Sequence, residues 1–133
     1  MVPQSESISN IFAPISLGEL IDKITILEIK REHMSGSKLN NVEKELELLR
    51  KIIQNKKLEI DIDLFNALRE VNNSLWRIED RIRIKESHQE FDKDFIQLAR
   101  SVYKENDRRA SIKKEINLKY NSDLFEEKLY KKF

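Results

Sequence analysis

The chain has 133 residues, 37% charged and 39% hydrophobic, with two Gly, two Pro and no Cys. Without cysteine there are no disulfides, thiolate nucleophiles or zinc–thiolate sites, and 25 basic against 24 acidic residues, a net charge of +1, give no general pull toward nucleic acid or an anionic membrane. No apolar run approaches the roughly 20 residues that cross a bilayer, and the acidic, broken N-terminus does not read as a signal peptide, so the expectation is a cytoplasmic protein without membrane or nucleic-acid partners.

The length suits one domain, and abundant Glu, Lys, Leu, Ile and Arg point to long amphipathic helices or coiled coils. Residues 1–14 lack helical period and contain Pro3 and Pro14, which predicts an extended arm ahead of a single helical domain over 15–133. The first helix starts at Ser16. Ser16 and Glu19 have capping-box spacing, and Ile15 and Leu20 are placed as a hydrophobic staple. Leu17, Leu20, Ile21, Ile24 and Leu27 form its buried stripe, and Gly36 is placed to end it in a left-handed conformation.

A second helix over 38–54 carries Leu39, Val42, Leu46, Leu49 and Ile53 at the spacing of a coiled-coil seam; the short preceding loop makes a hairpin with the first. Asp61 or Asp63 caps the third helix, whose seam runs through Leu64, Leu68, Val71, Leu75, Ile78 and Ile82. A loop over 87–90 leads to a fourth helix over 91–119, and Asn121-Ser122-Asp123 caps a short fifth over 124–130. The expected class is all-α: four main antiparallel helices, as a bundle or elongated coiled-coil hairpins, plus the short C-terminal helix.

The pattern breaks in two places. In the first helix Glu28 and Arg31 fall on the buried arc, spaced to pair with each other, while Ile26 and Ile29 lie off it. A second packing face of that kind requires a central position or a partner subunit, and a homodimer is the expectation. In the fourth helix the seam Phe91, Phe95, Leu98 and Val102 meets Glu105 and Arg109 before Ile112 and Ile116 restore it. Beside it runs a stripe of Ala99, Tyr103, Asn106, Ala110, Lys113 and Asn117. Buried charges must be paired, wet or liganded. The third helix offers Asn72, Trp76, Glu79 and Arg83 along one edge, and the first offers Asp22 and Thr25. A polar layer built from Asp22, Glu79, Arg109 and their neighbours is either an inter-helix network that sets register or the wall of a ligand pocket.

Several chemistries fail on spacing. A helical di-iron site needs Glu-x-x-His pairs, but Lys30 and Lys85 precede His33 and His88 by three, so no metal is expected. Gly18 and Gly36 alone cannot build a phosphate or dinucleotide loop, and no cofactor is expected. No strained nucleophile motif is present.

The run "LGELIDKITILEIKRE" is similar in rhythm to the opening helix of helical chorismate mutases at Leu20, Ile21, Asp22, Ile24 and Leu27. It departs from that family's pattern where an early arginine is replaced by Leu or Gly and a second aspartate by Thr25. Three longer segments, "APISLGELIDKITILEIK", "VNNSLWRIEDRIR" and "FIQLARSVYKENDRRASIKKEIN", with "FEEKLY" behind them, resemble an uncharacterised bacterial family of unknown function. That resemblance spans most of the chain except the second helix and the extreme N-terminus, and implies an expected link to surface-polysaccharide metabolism.

The candidate ligand-binding residues are Asp22, Thr25, Asn72, Trp76, Glu79, Arg83, Tyr103, Asn106, Arg109 and Lys113. Enzyme status is open, with the weight on a non-enzymatic module: a homodimer acting through a protein partner or a small anion held by Arg and Lys. The alternatives are a bundle enzyme on an anionic metabolite, with Glu79 or Asp22 as acid or base and Arg109 and Lys113 as electrostatic stabilisers, and a structural adaptor.

Overall fold

The computed structural model describes residues 9–133. It contains four helices, α1 (Leu17–His33), α2 (Gly36–Asn55), α3 (Ile62–Ser87) and α4 (Lys93–Lys119), and no strand among the described residues. The fold is all-α. Residues 1–8 of the expected arm lie outside the described residues; residues 9–14 are exposed and carry neither helix nor strand.

Each helix begins on a side-chain oxygen that satisfies otherwise unbonded N–H groups, except α2. Ser16 Oγ accepts from Glu19 N at 3.1 Å, Asp61 Oδ1 from Asp63 N and Leu64 N at 2.9 and 3.2 Å, and Asp92 Oδ1 from Phe95 N at 3.0 Å. The Asp92 cap starts α4 two residues later than the apolar pattern predicts and leaves Phe91 exposed ahead of it, edge-on to Phe95. Gly36 takes φ +63°, the left-handed turn between α1 and α2.

Helix α1 is central: it packs against α2, α3 and α4. Leu20, Ile21, Ile24 and Leu27 meet Val42 and Leu46 of α2, Leu68 and Val71 of α3, and Ile112 and Ile116 of α4 in one core. Two expectations about α1 are corrected by this position. Ile29 is 1% exposed, because neighbouring helices already cover α1 on more than one side, so it presents no face for a second subunit, and Ile26 is partly buried. Buried Glu28 does not pair with Arg31, which is exposed, but with Arg50 of α2 at 2.8 Å and Arg69 of α3 at 3.7 Å.

The α1–α4 contact depends on a missing side chain. A Cβ on Gly18 would lie 2.5 Å from the Lys113 carbonyl oxygen, a backbone atom that cannot swing aside. The Gly18 N–H instead donates to Asn117 Oδ1 at 2.7 Å, which fixes the register of α1 on α4.

Helices α3 and α4 form a hairpin tied at both ends. Lys85 donates to Glu90 and Asp92 at 3.1 and 2.9 Å, while Tyr120 Oη accepts from Asp61 N at 2.7 Å and donates to the Glu59 carbonyl at 2.8 Å. With 26 and 27 residues against the 17 of α1, the hairpin outruns the helix it packs on.

The predicted fifth helix is absent: residues 124–133 are irregular and exposed. Leu124, Phe125, Leu129, Tyr130 and Phe133 stay exposed there, and so short a helix is not stable in water on its own. The segment is tied down by polar contacts instead. Ser122 Oγ accepts from Leu17 N at 3.2 Å, and Glu126 reaches Lys113 at 2.7 Å. No described helix is long and apolar enough to cross a membrane.

Candidate functional site

Two helical turns of α4, around Arg109 and Lys113, separate a closed polar layer from an open cleft. On the closed side stands Asp22, one turn into α1 and 0% exposed. Arg109 Nε lies 3.0 and 3.1 Å from its two oxygens, and Nη2 donates to Oδ2. Asn72 Nδ2 donates to Asp22 Oδ1 at 2.7 Å and to Thr25 Oγ1 at 2.9 Å. Thr25 turns its own hydroxyl hydrogen to the Asp22 carbonyl at 2.8 Å. Among the described residues no buried side-chain polar atom lacks a partner, so nothing in this layer is left for a ligand.

Lys113, one turn beyond Arg109, is buried and gathers three carboxylates: Glu19 and Glu126 at 2.7 Å and Asp22 at 3.7 Å. Burial pulls its pKa down, but the bonds to Glu126 and Glu19 together outweigh burial and hold it above the usual lysine value. It stays an ammonium, which removes it as a base or amine nucleophile. Hydrogen bonding to Asp22 raises Arg109 likewise. On the other partner, Lys113 first and Lys128 second lower the Glu126 carboxyl to about 2. Among the described residues no group of three or more His, Cys, Asp or Glu is arranged to hold a metal ion; the convergent carboxylates enclose an ammonium.

The open side is a cleft of about 690 Å³ between α4 and the C-terminal segment. Val102, Tyr103, Asn106, Asp107, Arg109, Ala110 and Lys113 supply the helix wall, and Lys128, Tyr130, Lys131 and Phe133 the other. Tyr103 and Phe133 close one end, edge to face at a centroid separation of 4.9 Å. Four cations line it against one carboxylate, Asp107. Glu126 is shared by Lys113 and Lys128, at 2.7 and 2.6 Å. Lys131 makes no ion pair among the described residues, and Asp22 leaves Arg109 Nη1 without a protein partner there.

Of the candidate residues, Asp22, Thr25, Asn72, Arg109 and Lys113 meet in the polar layer, and Tyr103 and Asn106 join Arg109 and Lys113 at the cleft. The remainder are elsewhere. Trp76 is partly buried and stacks on His33 at the end of α1, ring centroids 4.7 Å apart. Glu79 and Arg83 are exposed and face each other at 3.7 Å on α3. The layer expected from Asp22, Glu79 and Arg109 therefore forms without Glu79: seven residues past Asn72 is ~10 Å along the helix, beyond the reach of Asp22.

Glu19, Asn117, Glu126, Lys128, Tyr130, Lys131 and Phe133 were not among the candidates. Asn117 continues the Tyr103–Lys113 stripe and was detectable at that spacing; Glu19 has a local capping role that masks its bond to a residue 94 positions away.

The sequence profile of a family of unknown function, DUF6165, matches residues 11–132, and the chain belongs to that family. The match runs from the exposed arm residues Ile11 and Phe12 through the segment that walls the cleft. No curated protein and no solved structure matches the chain.

Proposed function

We propose a non-enzymatic binding module whose α4 cleft takes a small anion carrying a ring or apolar body. The observation behind this reading is Arg109: a buried carboxylate fixes the Nε–Nη2 edge of its guanidinium and leaves Nη1 without a protein partner among the described residues, on a side chain that lines the cleft. A cation held in one orientation gives up little freedom on binding, and its fork suits phosphate or carboxylate oxygens. Lys131 and Lys128 stand across the cleft, with Tyr103, Tyr130 and Phe133 as surfaces for a ring. Sugar phosphates are the first class to test, in line with the surface-polysaccharide link that the family resemblance implies. The weight stays against catalysis, because Lys113 is held protonated and Asp22 is enclosed by donors.

Calorimetric titration with inorganic phosphate and a hexose phosphate tests the reading. Saturable binding is expected, tighter for the sugar phosphate, and weakened at least tenfold by Lys131→Ala or Arg109→Lys. Equal heats from wild type and Lys131→Ala would contradict it.

The structural-adaptor reading has its own support in the complete satisfaction of the buried polar layer, since a closed network can serve register alone. It predicts no saturable heat with either phosphate.

A further inference from the structure

We infer that two copies of the chain exchange N-terminal arms, Ile11 and Phe12 of each copy seating against the aromatic end of the other's cleft. This rests on the cleft being the binding site proposed above, and makes the partner copy a contributor to that site.

Three observations converge on it. Ile11 and Phe12 are 83% and 90% exposed, adjacent on an irregular arm, while Tyr130 and Phe133 at the cleft are 72% and 78% exposed. Single exposed apolar residues are ordinary; two such groups of matching character on one chain can cover each other. A cleft of about 690 Å³ is also far larger than a phosphate group needs, so the apolar end has room beside an anion at Arg109 and Lys131. Charge does not oppose it: residues 9–18 carry no charged side chain, so this part of the arm brings no cation against Arg109, Lys113, Lys128 and Lys131.

Reach favours the second copy over the chain's own arm. Leu17 N is tied to Ser122, and Gly18 N to Asn117. Five residues back to Phe12 span at most ~17 Å, while Tyr103 lies fourteen residues up α4 from Asn117, ~21 Å. A chain's own Phe12 approaches that end only as a straight strand aimed along α4. A second copy meets no such limit, and reciprocal exchange gives a closed two-fold dimer.

The chain has no native cysteine, so a cross-link reports directly. Ala13→Cys and Asn106→Cys leave Ile11, Phe12 and the aromatic wall in place. Mixing the two single variants under mild oxidation is expected to give a disulfide-linked dimer holding one of each. Adding Ile11→Ser and Phe12→Ser to the Ala13→Cys chain should cut its yield at least tenfold with helicity unchanged. Sedimentation should give a wild-type dimer and a folded Ile11→Ser/Phe12→Ser monomer. A monomeric wild type, or a cross-link indifferent to the two Ser substitutions, overturns the exchange whatever phosphate does. Phosphate heats that are absent while the cross-link forms overturn the ligand reading alone.

Discussion

On its α1 side Arg109 meets a carboxylate with no exposed surface, set among an amide and a hydroxyl that leave no polar atom over. On its other side the same guanidinium faces a cleft walled by exposed aromatic and lysine side chains on a segment without helix. The first region is finished by the fold: its partners come from α1, α3 and α4, and each is positioned by the core beneath. The second is bounded by one helix and by a segment held through Glu126 and Ser122. Arg109 thus serves structure with its Nε–Nη2 edge while Nη1 carries no protein bond among the described residues, whereas Lys113, one turn on, is taken up by carboxylates.

The largest effect that separates the regions should come from Asp22→Ala. It strands Arg109 and removes one carboxylate from Lys113, an uncompensated burial that costs about 3–5 kcal/mol, read as a lower urea midpoint. A loss below about 1 kcal/mol would mean the layer is wetter than its burial indicates. Replacing both partners, Asp22→Leu with Arg109→Met, removes the charges together. That double variant should fold within about 1–2 kcal/mol of wild type while losing phosphate heats, which separates the structural edge of Arg109 from its binding edge.

The smallest effect belongs to the open side. The Glu126 carboxyl sits at about 2, below the ordinary value of 4.5. A depressed carboxylate contributes its stability above the unfolded pKa and loses it as pH falls through the folded one. The C-terminal segment should therefore stay docked at neutral pH and release progressively between about 4.5 and 2. Because Glu126 is largely solvated, Glu126→Gln should cost only ~0.5–1 kcal/mol, visible as faster proteolysis after residue 122 with the helical core intact. Proteolysis unchanged by the substitution would remove Glu126 as the tether.

The closed region was the more legible in the sequence. Asp22 and Arg109 interrupt apolar stripes, and an interruption inside a helix period must be answered by another element. The stripe from Tyr103 to Asn117 likewise marked the α4 wall of the cleft. Periodicity is silent, however, on what stands opposite. "LFEEKLYKKF" alternates as a helix does, yet its apolar side chains stay exposed, and a helix so short is not stable without burial, so the segment stays irregular. Glu79 shares an edge with Asn72, but α1 ends at His33 beside Trp76, so the later part of α3 has no α1 side chains to meet. Ile29 misled for the converse reason: an off-stripe isoleucine on a central helix is core, and centrality is a property of the whole chain.

Arg109 itself offers the most direct test, because its ε and η nitrogens report the two sides separately. In nitrogen-15 NMR of the arginine side chains, phosphate titration should shift the Arg109 η resonances and the Lys131 ammonium. The Arg109 Nε–H, bonded to Asp22 at 3.0 and 3.1 Å, should stay in place and remain slow to exchange. Phosphate that leaves the η signals unmoved, or that releases Nε–H along with them, would contradict an arginine anchored on one edge and receptive on the other.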